Sequence, residues 1–465
     1  YLSEATLFGR DIIFDQFCKY NLRIRKMLEA VYLYERRRHP SSMEQRGGET
    51  GDEYCTHEAG DESRALKAGD ESHTLKTDEE FRALKAGDES RALKTDDEFR
   101  ALEVYLKRVW FSNGIHHHYG CEKFQPGFSE QYLHECLLRC PADQLSLRAG
   151  ERVEDMENEL FPVIFNPKVL PKRVNKADGI DLIQTSACNY YEGVTQEEVE
   201  NYYARQKENY EKEAAERGEN PMEPPSFGLN TTLVKTDERL HEVVWKADGR
   251  YGEAIRKIIY WLEKAMTVAE SDSQRDVIQL LIDYYRSGDL KDFDRYSIEW
   301  VKDTDGHIDF VNGFIEVYGD PLGLKASWEG IVEFKDLEAT KRTQAISSQA
   351  QWFEDHSPVD ERFRKKVVRG VSANVIRAAM LGGEEYPSTA IGINLPNADW
   401  IRAEYGSKSI TISNITEAYN KAAQGSGFRE EFVIDNETLG LLRKYDDECD
   451  DLHTDLHECV GHGSG

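Results

Sequence analysis

Apolar positions recur at helical spacing over residues 1–35, where Ile12, Ile13, Phe17, Leu22, Ile24, Met27, Leu28 and Val31 fall on one stripe. The same period returns from Phe99, through Leu102, Val104, Tyr105, Leu106, Val109 and Trp110, until Asn113-Gly114 breaks it. Thr195-x-x-Glu198 is a capping box, which predicts a charged helix to about Arg217. Further helices are predicted near 252–270 and 273–287, the second with Ser273 as N-cap. The pattern then changes. Phe310, Phe314, Ile315, Val317 and Tyr318, followed by Trp328, Ile331, Val332 and Phe334, are aromatic or β-branched and interrupted by Gly and Pro, as in strands. Residues 336–354 read as helix, 388–396 and 408–412 as strand, and 436–462 as a final helix. The alternation predicts an α+β chain whose two lobes are each visited more than once.

Residues 36–100 stand apart. From Ala59 a nonapeptide repeats five times, as AGDESRALK, AGDESHTLK, TDEEFRALK, AGDESRALK and TDDEFRALE. Each copy offers a single apolar anchor, near Leu66, Leu75, Leu84, Leu93 and Leu102. Nine residues make two and a half helical turns, so these leucines rotate around a helix instead of forming a stripe. Such a segment buries little, and a disordered or loosely helical surface insertion is expected.

Composition narrows the function. A net charge of −28 over 465 residues argues against nucleic acid and anionic membranes as partners, since both require basic patches. No apolar run is long enough to span a bilayer. Eight scattered cysteines fit reduced thiols in a cytoplasmic protein better than a disulfide framework. His116, His117 and His118 invite a metal reading, together with Cys121, His134, Cys136 and Cys140. Consecutive side chains diverge on any regular backbone, however, and these spacings match no zinc arrangement, so contacts lining a cleft or a structural role are expected.

The chemistry concentrates at the end of the chain, in His457-Glu458-Cys459-Val460-Gly461-His462-Gly463-Ser464-Gly465. Two histidines flank a glutamate, as in H-E-x-x-H, but they stand five residues apart. On a regular α-helix that spacing splays the imidazoles by roughly 140°. Both reach one metal ion only if the helix absorbs an extra residue as a π-bulge, which Gly461 would ease. A catalytic zinc site takes three protein ligands and leaves one position open, and Glu458 would serve as the general base.

The string resembles the H-E-x-x-G-H-G-S-G signature of the dipeptidyl peptidase III family of zinc exopeptidases. Gly313-Phe314-Ile315-Glu316-Val317-Tyr318-Gly319-Asp320-Pro321-Leu322-Gly323 is similar to the family's Glu, Tyr and Asp-Pro segment, and Ile393-Asn394-Leu395-Pro396-Asn397 to its substrate strand. The opening Tyr1-Leu2-Ser3-Glu4-Ala5 and the stretch from Trp110 to Tyr119 look most like the Bacteroidetes-type branch. The resemblance implies a lower lobe with a small β core, a helical upper lobe holding zinc, and a cleft between them. The lower lobe would be 1–335 with 385–425, and the upper lobe 336–384 with 426–465.

By the same resemblance His457 and His462 hold one Zn²⁺, Glu458 activates water, and Tyr318 donates to the oxyanion. Glu316 would pair with the free N-terminal ammonium of a short peptide, while Asn394 and Asn397 bond its backbone. The family's third ligand is a glutamate expected beyond Gly465, so the chain reads as a fragment that is inactive as it stands. The implied activity is release of dipeptides from oligopeptides. Another zinc aminopeptidase or endopeptidase, or a non-catalytic peptide-binding protein, stays open.

Overall fold

The computed structural model describes residues 1–38, 96–218, 225–368, 371–423 and 427–462. The nonapeptide repeats, and the disorder expected of them, lie outside the described residues except at 96–103, which is helical. The chain divides into two compact units. One holds Tyr1–Leu22, Phe111–Lys123 and Leu170–Gly465, and the other holds Arg23–Trp110 and Phe124–Val169. The stretch 1–335, expected as one lobe, therefore contributes to both.

The first unit opens with helices α1 (Leu2–Phe8) and α2 (Arg10–Phe17). The second draws on α3 (Asn21–Arg38), α4 (96–111), α5 (Glu130–Arg139) and α6 (Val153–Phe165). Met27, Leu28, Val31, Leu102, Leu106, Val109, Leu133, Leu137, Leu160 and Ile164 are all buried, at the positions where the helical period places them. Arg23 bonds both Glu151 and Glu159, and Arg139 donates to buried Glu35 at 2.9 Å.

The rest of the first unit is built around two sheets. A small one joins β1 (Tyr191–Glu192), β2 (Thr231–Thr236) and β3 (Arg239–Val244). Helix α7 (Gln196–Glu216) starts at the predicted capping box, with Thr195 and Glu198 each bonding the other's backbone. Helices α8 (Gly252–Met266), α9 (Asp272–Ser287) and α10 (Leu290–Lys302) follow. On α8, Ile255, Ile258, Ile259 and Leu262 form the buried stripe. The N-cap of α9 is Ser271, not Ser273: its side chain accepts from the Gln274 N–H, and Gly288 at φ 70° ends the helix.

The larger sheet has the order β4-β5-β6-β8-β7, made of β4 (Ile308–Phe314), β5 (Trp328–Lys335), β6 (Val371–Gly383), β7 (Gly392–Leu395) and β8 (Ser407–Ile412). Pairing is antiparallel except between β6 and β8. Residues 336–384, expected in a helical lobe, supply α11 (Leu337–Ser347) and α12 (Ala350–His356) but also β6, the middle strand of this sheet. Trp328 at the start of β5 is fully buried, and Gln16 brackets it by donating to the Ala326 carbonyl and accepting from the Trp328 N–H. Gly9, between α1 and α2, lies so close to the Trp328 ring that a Cβ there would sit 2.1 Å from it.

After β7 come α13 (Asp399–Tyr405), α14 (Ser413–Ala423) and α15 (Phe428–Phe432). The last long helix, α16 (Asn436–Leu456), is capped by Asp435 and runs without a break into a π-helical turn, His457–His462. Helices interleaved with two small sheets make the fold α+β, as expected. Among the described residues no helix is long and apolar enough to cross a membrane.

Candidate active site

The spacing argument is met by the backbone. In π geometry the hydrogen bonds run i→i+5, so residues five apart come to one face. The Nε2 atoms of His457 and His462 lie 3.0 Å apart, with ring centroids at 4.7 Å. Two nitrogens bound tetrahedrally at ~2.0–2.1 Å from zinc would sit roughly 3.3 Å apart, so the pair is shaped for one metal ion. Among the described residues no group of three His, Cys, Asp or Glu side chains is placed to hold a metal. A catalytic zinc site takes three protein ligands, and here two imidazoles converge. Burial first, and then the neighbouring His457 and Arg402, hold the pKa of His462 below the usual histidine value.

Glu458 points inward and is 4% exposed. Burial pushes its carboxyl up to about 7, and its Oε2 is buried without a protein partner. Room for this carboxylate comes from Gly392 at the start of β7, where a Cβ would lie 2.4 Å from Glu458 Oε1. Cys459 is fully buried and its thiol is pushed up to about 12 by burial, which suits packing and not nucleophilic attack.

One cavity of about 1230 Å³ is lined by His457, Glu458 and His462 together with Glu316, Tyr318, Asn394 and Asn397. All seven residues singled out from the sequence thus face one space. Their settings differ from the expectation in two ways. Strand β4 ends at Phe314, so Glu316 and Tyr318 sit in the irregular segment after it, tied back where the Ser327 N–H donates to the Glu316 carbonyl at 2.8 Å. Tyr318 is 73% exposed. Asn394 turns its amide inward: Nδ2 donates to Ser407 Oγ (3.1 Å) and Ser409 Oγ (2.7 Å), while Oδ1 is buried and unpartnered. Asn397 Nδ2 donates to Glu316 Oε1 at 2.8 Å, which fixes the carboxylate's direction.

Several lining residues escaped the sequence reading. Arg402 on α13 holds the end of β7, donating to the Pro396 carbonyl (2.7 Å) and the Asn394 carbonyl (2.9 Å). Glu329, Glu384 and Glu385 join Glu316 on the cavity wall. Burial, and then repulsion among these carboxylates, pushes Glu329 well above its ordinary value. Burial likewise raises Glu385, to about 7. These carboxylates form an acidic stretch of the cavity wall, with Arg173 Nη1 3.7 Å from Glu384. Only their meeting in space reveals it, because they come from β5 and from the turn after β6. The histidine run has the structural use expected of it. His116 is buried with Nε2 bonded to the Leu170 carbonyl (2.8 Å), and His118 lines the cavity, stacked on His117.

Known proteins resemble this chain over part of their length. The proteins named dipeptidyl peptidase 3 from Dictyostelium discoideum and Homo sapiens are 27% and 28% identical to it, over 219 and 218 residues. Those stretches cover 47% of this chain in each case, but only 30% and 28% of the relatives, so the match spans less than a third of their length. The solved structure of DPP III from Caldithrix abyssi superposes with a TM-score of 0.50 at 21% identity, covering 81% of this chain and 64% of that one, a likeness of fold. The model of peptidase family M49 matches residues 188–465, a span that takes in both sheets, the π-turn and the seven residues singled out from the sequence. With more than half of its residues so matched, the chain belongs to peptidase family M49.

Proposed function

We propose that this chain carries the peptide cleft and two metal ligands of a zinc-dependent peptidase that releases dipeptides from the free N-terminus of short peptides. The observation that carries this reading is the convergence of His457 and His462 in a π-turn, on the same cavity as the Glu316–Asn397 pair. The name dipeptidyl peptidase 3, borne by its relatives, supports the reaction class.

His457 and His462 would hold zinc as two of the three protein ligands that a catalytic site takes. Bound zinc supplies Lewis acidity, lowering the pKa of water and polarising a carbonyl. Glu458, raised toward neutrality by burial and with one oxygen free, would accept the proton of the attacking water and pass it to the leaving amine. Tyr318, exposed to the cavity, would donate its phenolic O–H to the developing oxyanion. Glu316, oriented by Asn397, would pair with the substrate ammonium, and the surrounding carboxylates favour that charge. Strand β7 is an edge of the sheet, so the peptide would add to it as a further strand. The unpartnered Asn394 Oδ1 would accept a substrate N–H. A reducing compartment fits the seven described cysteines, all of which are unpaired.

A peptide-binding role without catalysis is the second reading, favoured by the presence of only two ligands among the described residues. An unblocked octapeptide and its N-acetylated form, incubated with zinc-loaded full-length protein and followed by mass spectrometry, separate the readings. Sequential dipeptide loss from the free peptide alone, abolished in Glu458→Ala, is the expected result. Internal cuts or single-residue loss would keep hydrolysis and discard the Glu316 ruler; binding without cleavage would favour the second reading.

A further inference from the structure

A π-turn is a rare and poorly bonded backbone form, so something outside it must hold this one in place. The π-turn packs against β7, β8, α11 and α12; one polar tie runs from it to β8, and others run from Asp455 at the end of α16 to β8 and α11. Ser409 and Thr411 stand two apart on β8 and so share a face of the sheet. Ser409 Oγ donates to the Glu458 carbonyl at 2.9 Å. Thr411 Oγ1 donates to Asp455 Oδ1 at 3.0 Å. The other Asp455 oxygen accepts from Arg342 Nε on α11 at 2.8 Å, and Arg342 Nη1 also lies 3.3 Å from Asp451, one turn earlier.

Asp455 is 0% exposed. A carboxylate so buried is costly even when paired, and an apolar residue of similar size would usually serve stability as well. Its retention inside a helix otherwise rich in solvated acids calls for another benefit. The location supplies one: Asp455 lies two residues before His457, at the junction where α-helix becomes π-turn. Ser409 extends the same tie toward the substrate strand, because it accepts from Asn394 Nδ2 at 2.7 Å while donating to the Glu458 carbonyl.

We propose that Asp455, gripped by Arg342 and Thr411, is a positioning residue that pins the π-turn to β8 so that His457 and His462 converge on one metal ion. The inference rests on the metal-site reading above. Asp455 touches neither substrate nor reacting atoms; it acts through the two imidazoles. Outer partners that orient metal ligands typically change metal affinity 10–100-fold when removed.

The test uses full-length protein stripped of metal, with zinc affinity measured by competition against a chromophoric chelator and thermal unfolding followed in the metal-free state. Asp455→Ala is expected to weaken zinc binding at least tenfold, and Asp455→Asn, which keeps the acceptor for Thr411, by less. Asp450→Asn, an exposed acid on the same helix, should bind zinc as the parent does. Should Asp455→Ala fail to fold, Thr411→Val removes one tie alone and should still weaken zinc several-fold. Variants that unfold more easily yet bind zinc with parental affinity would reduce Asp455 to a packing element and overturn the proposal. An unsubstituted protein that binds no zinc would instead remove the metal-site reading, and this role with it.

Discussion

His457 and His462 are separated by four residues in sequence, yet their Nε2 atoms are 3.0 Å apart. Neither imidazole has a second histidine to substitute for it in the cavity wall other than His453 and His118. His462→Ala should therefore lower zinc affinity by a hundredfold or more while leaving the metal-free melting temperature within about 2 °C, since the residue is exposed. Equilibrium dialysis against zinc, paired with calorimetry of the metal-free protein, checks both halves.

Gly392 and Glu458 share a space that holds only one side chain. Gly392→Ala places a methyl group 2.4 Å from Glu458 Oε1, and the flexible carboxylate end yields more readily than the backbone. Stability should change by no more than about 1 kcal/mol. If Glu458 is the general base proposed above, turnover should fall about 10²-fold, because a base displaced by an ångström loses its alignment. An unchanged kcat would show that Glu458 does not need its present position.

Lys408 is a buried cation at the heart of the larger sheet. It is 0% exposed, donates to Asp309 Oδ2 at 2.7 Å, and lies 4.3 Å from the centre of the Trp300 ring. Lys408→Met strands Asp309 and should destabilise the protein by roughly 3–5 kcal/mol in urea unfolding. Lys408→Met combined with Asp309→Asn should recover much of that loss.

His116 gives a pH signature. Burial, with smaller effects from Arg173 and Lys123, depresses its pKa to about 4. The folded protein therefore favours the neutral ring, and the unfolded chain binds the extra proton between pH ~6.5 and ~4. Its contribution is complete above the unfolded pKa and disappears as pH falls through this window, by roughly 3 kcal/mol between pH 7 and pH 4. His116→Gln should lose less stability than the parent on that titration. Parallel curves for the two proteins would exclude it.

What could be read from the chain depended on whether local pattern and local structure coincide. The five-residue histidine spacing implied a π-turn because only that backbone lets both rings meet, and the capping box at Thr195 is a self-contained signal. Strand β6 was not legible. Ala373, Asn374, Val375 and Ile376 are buried in succession, so no alternation marks the middle strand. The β2–β3 hairpin turns at Asp237 and Glu238, both at positive φ (47° and 60°), without the Asn-Gly or Asp-Gly that usually announces such a turn. Helix α10 was missed although Asp289 caps it and Leu290, Phe293, Tyr296, Trp300 and Val301 recur at helical spacing. In the cavity, Glu316 and Asn394 were legible as residues but not in their settings. Their hydrogen-bond partners Asn397, Ser407 and Ser409 include residues from another strand and another loop.

Strand β7 leaves one side of its backbone open at the sheet's edge, beside the imidazoles. A strand repeats its facing every two residues. A peptide shortened by two residues and moved forward by two would offer the edge the same alternation of faces it offered before. Shortening by one would invert every side chain and force a new fit. If the chain releases dipeptides as proposed, the length of the product would follow from pleated backbone as much as from Glu316, and the site could work along a peptide without rereading its sequence at each step.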